Sequence, residues 1–150
     1  MSVFGNSPIL FNNSPLMKAL HTSASAMKVQ MSRLEVVAQN LANAHTTATN
    51  SKENPYTRKT ISFKSDVDRR TGVHRVSVKK IGIDSTPFSE DYDPGHPAAD
   101  EHGMVKLPNV DRHIELKDMN EAMRAHHINM SMIKIIREMF EKTIAIMSKT

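Results

Sequence analysis

The chain of 150 residues contains no cysteine, no tryptophan, and only two tyrosines and five phenylalanines. The lack of cysteine excludes a disulfide framework, a Cys-ligated zinc site and a cysteine nucleophile. Because large aromatic rings supply much of the burial in globular cores, a core here would depend on aliphatic side chains and on the eleven methionines. This composition favours long helices over a compact two-layer domain.

Long hydrophobic runs are also missing from the chain. No window approaches the roughly 18 apolar residues that a membrane-spanning helix needs, so we expect no membrane insertion. The first fifteen residues, MSVFGNSPILFNNSP, contain no basic segment and only one short apolar run, so we expect no Sec-type signal peptide. The formal net charge of +4 permits contact with nucleic acid or an anionic surface but does not require it.

The first of two heptad stretches begins after Ser14-Pro15, a helix start signal in which the serine caps and the proline occupies the first turn. Its a/d ladders consist of Met17, Ala24, Met31 and Ala38 and, three positions later, of Leu20, Met27, Leu34 and Leu41. A pattern sustained over four repeats predicts a helix over residues 15–44. The scarcity of Lys and Glu on its outer face indicates that neighbours cover this helix on more than one side.

The second heptad stretch closes the chain and contains neither proline nor glycine. One ladder consists of Met119, His126, Ile133, Phe140 and Met147, and the other of Leu116, Met123, Met130 and Ile144, with Arg137 interrupting it beside Ile136. The pattern predicts a helix over residues 111–150. Because one narrow apolar stripe does not stabilise a helix alone, we expect the two terminal helices to pair as an antiparallel coiled coil.

The middle of the chain, residues 45–110, has a different pattern. Tyr56–Phe63 and Val73–Ile83 alternate and are rich in strand formers, and a turn sequence between them predicts a β-hairpin. Val76, Val78, Ile81 and Ile83 are the candidate inward positions. The predicted fold is therefore mainly α with a small β part, organised as a flexible N-terminal segment (1–14), a heptad helix (15–44), a small β-rich or loop middle region (45–110) and a second heptad helix (111–150).

The stretch YDPGHPAADEHG, from Tyr92 to Gly103, combines two histidines and three carboxylates with two prolines and two glycines. Such side chains suit a metal site, but their spacing matches no ligand signature. Asp93-Pro94-Gly95 is a turn sequence, and Pro97 restricts His96 to an extended conformation. The pattern favours a structural joint, with a metal site as the alternative.

Two further candidates are ambiguous. His126-His127 lacks a helical partner at ligand spacing, which favours a polar packing residue over a metal or catalytic site. The basic stretch Arg58–Lys80 lacks the aromatic interleaving of a nucleic-acid site, and the six carboxylates of Asp84–Glu101 follow it without any Lys or Arg. Complementary blocks of this kind can meet within a chain or between neighbouring copies. A soluble coiled-coil module that binds nucleic acid or anionic surfaces through the basic stretch stays open as an alternative.

Two motifs resemble the bacterial flagellar rod and hook proteins. The end of the first helix, Asn40, Leu41, Ala42, Asn43 and Ala44, resembles their NLANA motif. A second run is similar to the signature of the rod protein C branch of the flagellar basal-body rod family, and its matching residues are Tyr92, Asp93, Pro94, Gly95, His96, Pro97, Ala99, Asp100, Gly103, Pro108, Asn109 and Val110. Met104 departs from this signature, which has an aromatic residue there.

The resemblance implies a structural subunit of the proximal rod that assembles with other axial proteins into a helical, torque-transmitting drive shaft. Its implied partners are copies of itself, other rod proteins, the adaptor between the rod and the membrane ring, and the flagellar type III export apparatus. It further implies a location in the basal body, spanning the periplasm, reached without a cleaved signal peptide. We expect no enzyme activity, no cofactor, no metal and no nucleic-acid partner.

Overall fold

A computed structural model of the chain describes residues 14–148. Its elements, in chain order, are helix α1 (Pro15–Ala42), strands β1 (Lys59–Val67), β2 (His74–Ile83), β3 (Ser89–Tyr92) and β4 (Met104–Leu107), and helix α2 (Arg112–Met147). The described chain is thus mainly helical with a small β part, as predicted. The predicted flexible segment, residues 1–14, lies outside the described residues except for Ser14.

The described residues form two compact units, and both helices and the long hairpin contribute to each of them. Unit 1 contains residues 14–31, 63–77 and 124–148, and unit 2 contains residues 32–62 and 78–123. In unit 2, Arg33 forms ion pairs with Asp118 (3.2 Å) and Glu121 (3.4 Å), whereas Asn40, two turns further along α1, contacts the earlier residue Glu115. The helical segments of unit 2 therefore run antiparallel.

Helix α1 begins at the start signal predicted from the sequence and ends at Ala42, two residues before the predicted end at residue 44. Ser14 Oγ accepts a hydrogen bond from the Met17 N–H at 3.3 Å, which satisfies one of the unpaired donors of the first turn. At the other end, the Asn43 N–H donates to the Gln39 carbonyl, and the side-chain amide of Asn43 donates to the same oxygen. The helical hydrogen bonds thus end within the motif that runs from Asn40 to Ala44.

Small hydroxyl side chains on α1 bind strand β2 in unit 1. Thr22 Oγ1 donates to the His74 carbonyl at 2.8 Å, and Ser25 Oγ accepts a hydrogen bond from the Val76 N–H at 3.2 Å. The buried residues of this unit are Ser23, Val29, Val73 and Ile136. Part of the uncharged face of α1 is therefore covered by the hairpin of its own chain.

Within residues 14–148 the β part consists of two separate two-stranded sheets. Strands β1 and β2 form the predicted hairpin, closed by the hydrogen bond from the Asp68 N–H to the Val73 carbonyl. Strand β1 begins at Lys59 rather than Tyr56. The prediction that Ile81 and Ile83 point inward is wrong. Both side chains are exposed (52% and 71%), because the described sheet has two strands and no layer of the described chain covers them.

The second sheet was not predicted and lies in unit 2. Strand β3 pairs antiparallel with β4, with Ser89 opposite Leu107 and Tyr92 opposite Met104. The buried apolar residues of unit 2 are Val36, Val37, Ala44, Ala98, Val105 and Ala122. Val105 of β4 and Ala98 of the β3–β4 connection belong to this core, so the small hairpin is anchored by its apolar contacts.

Candidate assembly surface and its supporting polar cluster

A buried cluster of polar side chains joins α1, β1 and α2 within unit 2. Asn40 and Glu115 are 1% and 0% exposed. Asn40 Nδ2 donates to Glu115 Oε2 (3.1 Å) and to the Lys59 carbonyl (2.9 Å), while Asn40 Oδ1 accepts from the Lys59 N–H and the Tyr56 hydroxyl (both 2.9 Å). All the hydrogen-bonding capacity of this amide is used, so it is buried without an unsatisfied polar atom.

Arg58 supplies the positive charge of this cluster. Its Nε donates to Glu115 Oε1 at 2.6 Å, and its Nη1 donates to Asp84 Oδ2 at 3.2 Å. Burial alone would lower the pKa of the Arg58 guanidinium, but the hydrogen bonds and charges of Glu115 and Asp84 outweigh burial and raise that pKa. Glu115 is thus neutralised at short range, which a fully buried carboxylate requires.

Tyr56 closes the other side of the cluster. Burial, and then the negative charge of Glu115, raises the pKa of the Tyr56 hydroxyl above its ordinary value of 10.0. The hydroxyl therefore stays protonated at neutral pH and donates its hydrogen bond to Asn40 Oδ1.

Asn109, a residue of the rod-protein signature, extends the cluster to the segment after β2. Its Oδ1 accepts the Arg58 N–H at 2.8 Å, and its Nδ2 donates to the Thr86 carbonyl at 2.9 Å. Hydrogen bonds from the hydroxyl and the N–H of Thr86, and then the Arg58 guanidinium, lower the pKa of Asp84. Pro108 beside Asn109 is buried, and Val110 is half-buried.

The connection between β3 and β4 contains most of the Tyr92–Val110 signature, and its polar side chains bind the backbone. Asp93 Oδ1 accepts the Gly95 N–H, and Asp100 Oδ1 accepts the N–H groups of His102 (2.8 Å) and Met104 (2.9 Å). The Met104 bond first, and then the His102 bond, lower the pKa of Asp100. Asx turns of this kind hold a chain in a tight reversal.

His96 has a structural role in this connection. Its Nδ1 accepts the Ala98 N–H at 3.0 Å, and its Nε2 lies 3.2 Å from Thr47 Oγ1, so the neutral ring carries its proton on Nε2. Both ring nitrogens are engaged in these contacts. Within residues 14–148, no three His, Asp or Glu side chains lie close enough to share a metal ion.

Gly103 is required by the backbone of the same connection. Its φ is +76°, a left-handed conformation that favours glycine. A Cβ atom added there would lie 2.9 Å from Tyr92 Cε2 and 3.1 Å from Pro94 Cβ. The remaining signature residues Pro97 and Ala99 are exposed and half-buried, respectively.

The predicted seam of α1 is only partly covered within the chain. Ala24, Met31 and Ala38 are exposed, and the half-buried members are Met17, Leu20, Met27, Leu34 and Leu41. The most buried positions of the helix are others, namely Ser23, Val29, Val36, Val37 and Asn40. The apolar ladders therefore keep surface that a neighbouring subunit can cover.

The two predicted ladders of α2 differ in exposure. Met119, His126, Ile133 and Phe140 are half-buried and Met147 is exposed, whereas Leu116, Met123, Met130 and Ile144 are all exposed. The buried residues Glu115, Ala122 and Ile136 lie at heptad spacing one position before the exposed ladder. Arg137, which interrupts that ladder, is itself exposed. His126 Nδ1 is buried without a hydrogen-bond partner among the described residues.

A second exposed apolar stripe on α2 was not predicted. It consists of Ile128 (60%), Met132 (43%), Ile135 (50%) and Met139 (48%), which follow one another at spacings of four, three and four residues. This is the spacing of one helix face. No helix among residues 14–148 has both the length and the apolar character needed to cross a membrane.

Sequence reasoning missed the charged members of the polar cluster. Arg58 and Asp84 stand out in the sequence only as members of the basic and acidic blocks, and no pattern singles out Glu115, because the pairs Arg58–Asp84 and Arg58–Glu115 are 26 and 57 residues apart along the chain. Asn40 and Asn109 were selected through the motifs, which gave their position but not their contacts. The signal available in the sequence is that Asn40 and Asn109 are each followed directly by an apolar residue, Leu41 and Val110, within the two motifs.

Comparison with known proteins gives consistent matches. A family model described as Flagella basal body rod protein matches residues 20–48. The chain is 45% identical over 130 residues to the flagellar basal-body rod protein FlgC of Agrobacterium fabrum, covering 87% of this chain and 94% of that protein. It is 32% identical over 131 residues to FlgC of Salmonella typhimurium (87% and 97% covered) and 36% identical over 129 residues to FlgC of Aquifex aeolicus (85% and 94% covered).

Proposed function

Because this chain belongs to the FlgC family of flagellar basal-body rod proteins, we propose that it is a structural, non-enzymatic subunit of the flagellar basal-body rod. The family predicted from the two motifs is thereby confirmed. Membership does not favour the alternative of a nucleic-acid or anionic-surface module.

The observation that carries this function is the amount of apolar surface that α2 exposes. Stripes of exposed large apolar side chains along a helix mark surfaces that pack against a partner. On α2 the exposed large apolar side chains include Leu116, Met123, Ile128, Met130, Met132, Ile135 and Met139. Side-by-side packing of subunits in a rod would remove this surface from water, which supplies the driving force for assembly.

The finer features of this function are proposed as well. We assign the predicted ladders of both helices, from Met17 to Leu41 and from Leu116 to Met147, to contacts with other copies and other rod proteins. The cluster around Glu115 supports these contacts by fixing α1, β1 and α2 together, so that torque is transmitted through a stiff joint. The Tyr92–Val110 stretch serves as the connection from the middle region to α2.

The position of the subunit is proposed from the same family. The chain is a component of the basal-body rod, and we place it in the proximal rod, within the periplasm, beside the adaptor of the membrane ring. Delivery would use the flagellar type III export apparatus. These assignments rest on family resemblance and are open to test by locating the subunit in purified basal bodies.

The test is deletion of the gene in the bacterium that encodes this chain, followed by complementation. Loss of motility and of complete basal bodies, both restored by the wild-type chain, is the expected result. Immunogold labelling of purified basal bodies then locates the subunit. Complete flagella in the deletion strain would contradict the proposed function.

A further inference from the structure

Strand β2 carries exposed basic and apolar side chains at its C-terminal end. Lys79 and Lys80 are exposed, and they are followed by Ile81 and Ile83, which are 52% and 71% exposed. We call these four residues the basic strand patch. An open groove runs beside it along the hairpin and is lined by Lys59, Lys80, Ile81 and Ile83. Because side chains alternate along a strand, Lys79, Ile81 and Ile83 share one face of β2 and Lys80 lies on the other, so positive charge is available on both faces of this strand.

Strand β3 carries the opposite charge on the same unit of the chain. Glu90 and Asp91 are exposed, and Tyr92 beside them is 67% exposed. We call these three residues the acidic strand patch. It combines two carboxylates with one large amphipathic ring, and rings of this type are enriched at protein interfaces.

The two patches do not neutralise each other within the chain. Among residues 14–148, no ion pair contains Lys79, Lys80, Glu90 or Asp91. The segment that connects the two strands is held by Asn109, which donates to the Thr86 carbonyl, and by Asp84, which accepts the N–H and the hydroxyl of Thr86. Lys106 lies opposite Glu90 in the β3–β4 register but forms no ion pair with it in the described chain, so the carboxylates of β3 and the lysines of β2 remain available to another molecule.

Charge also decides which strands can come together. Among the described residues each sheet has two strands, and α1 bonds to β2 only at His74 and Val76, so β3 and the C-terminal part of β2 both have an open edge. Lysines on an edge strand oppose its pairing with the same strand of another copy, because like charges repel. A basic strand facing an acidic strand does not meet this barrier, and its charges steer the encounter.

We propose that the basic strand patch of one copy binds the acidic strand patch of a second copy, with Lys79 and Lys80 opposite Glu90 and Asp91. Tyr92 would then cover the exposed Ile81 and Ile83. Because the two surfaces differ, the contact is head-to-tail, and repeated head-to-tail contacts form an open helical array rather than a closed dimer. The proposal rests on the proposed function, since it names the self-contact of a rod subunit.

Site-specific cross-linking tests this contact directly, since the chain has no cysteine of its own. A chain carrying both Lys80→Cys and Asp91→Cys is expected to form disulfide-linked dimers and higher multimers in oxidised, purified basal bodies. Either substitution alone should leave the subunit monomeric on a non-reducing gel. A disulfide within one chain, or a link only to a protein of different mass, would overturn the proposal. Absence of even the wild-type chain from basal bodies would overturn the proposed function instead.

Charge reversal provides a second test that does not depend on cysteine incorporation. We expect Lys79→Glu with Lys80→Glu, and separately Glu90→Lys with Asp91→Lys, to abolish motility. All four substitutions in one chain should restore it, because the reversed patches again attract each other. The matched control, Arg69→Glu with Arg70→Glu, makes the same charge change at the exposed hairpin turn and should keep motility. A four-fold variant no better than its parents, or an equally defective control, would refute the contact.

Discussion

Asn40 Nδ2 donates a hydrogen bond to Glu115 Oε2 at 3.1 Å, although 75 residues separate these two side chains along the chain. The contact connects the last turns of α1 to the first turn of α2 and is completed by Arg58, which binds the other oxygen of Glu115. A buried group of this kind has few alternative partners, so it fixes one relative register of the two helical segments in unit 2.

Removal of the Glu115 carboxylate is expected to destabilise the chain. In Glu115→Ala, the amide of Asn40 and the guanidinium of Arg58 lose their buried acceptor, at a cost of about 3 kcal/mol. Urea unfolding followed by circular dichroism and by fluorescence of the two tyrosines measures this cost. The matched control is Glu121→Ala on the same helix, because Glu121 is 64% exposed and pairs with Arg33 only at 3.4 Å. The control should cost less than about 1 kcal/mol, and equal effects of the two variants would contradict the role of the cluster.

We expect acid to destabilise unit 2 by protonating Asp84 and Asp100. In the folded chain, the hydrogen bonds that Asp84 accepts from Thr86 are the largest contribution that lowers its pKa, and the bond that Asp100 accepts from the Met104 N–H has the same role for Asp100. The unfolded chain therefore binds more protons below about pH 4, the ordinary range of an aspartate. The stabilisation is present above that pH and is lost as the pH falls through the lower pKa of the folded state.

The measurement is the urea midpoint as a function of pH. We expect it to be constant near neutral pH and to fall below about pH 4. Asp84→Asn should lower the neutral midpoint and weaken the acid dependence, because its amide cannot be protonated in this range. Glu101→Gln is the control, since Glu101 is exposed and forms no side-chain hydrogen bond among the described residues. If the urea midpoint of Asp84→Asn fell with pH as steeply as that of the wild-type chain, the proposed role of Asp84 in the acid sensitivity would be contradicted.

The helices and the long hairpin could be predicted from the sequence because their signals are local. Ser14-Pro15 marks the start of α1, and alternation marks β1 and β2. The β3–β4 pair could not be predicted, since β3 consists of Ser-Glu-Asp-Tyr and is exposed throughout. Its pairing depends on the Asx turns that Asp93 and Asp100 form in the connection, which periodicity does not detect.

The face of α2 that is buried within the chain could not be predicted, for a related reason. Heptad analysis selects the most apolar ladders, but the face of α2 that is buried within the chain contains Glu115, Ala122 and Ile136. Ala122 is small enough for close helix contact, and Glu115 is buried only because Arg58 and Asn40 satisfy it. Those partners are distant in sequence, so they cannot be found from the heptad pattern. Hydrophobicity alone therefore selects the ladder that begins at Leu116, which the single chain leaves exposed, instead of the buried residues one position before it.

Gly103 and Gly95 are expected to respond oppositely to alanine. Gly103→Ala places a side chain in a left-handed conformation and 2.9 Å from the Tyr92 ring, at a cost of about 1–3 kcal/mol. Gly95 has no positive φ, and its added Cβ would make only an ordinary 3.6 Å contact with Asp93 Oδ1, so Gly95→Ala should stabilise by about 0.5 kcal/mol. Thermal unfolding of the two variants tests this, and a neutral Gly103→Ala would show that the connection tolerates another backbone conformation.

Substitutions of two neighbouring isoleucines on α2 test folding and assembly separately. Ile136 is 3% exposed, so Ile136→Asp should cost about 3 kcal/mol or more by burying an unpaired charge. Ile135 is 50% exposed, so Ile135→Asp should change the free energy of unfolding of the isolated chain, measured in urea, by less than about 0.5 kcal/mol yet prevent incorporation into the rod. Both variants lose the same intrinsic helix propensity, so that contribution cancels between them. Motility and the amount of the subunit in purified basal bodies provide the second measurement. Normal incorporation of Ile135→Asp would exclude the Ile128–Met139 stripe from the assembly surface.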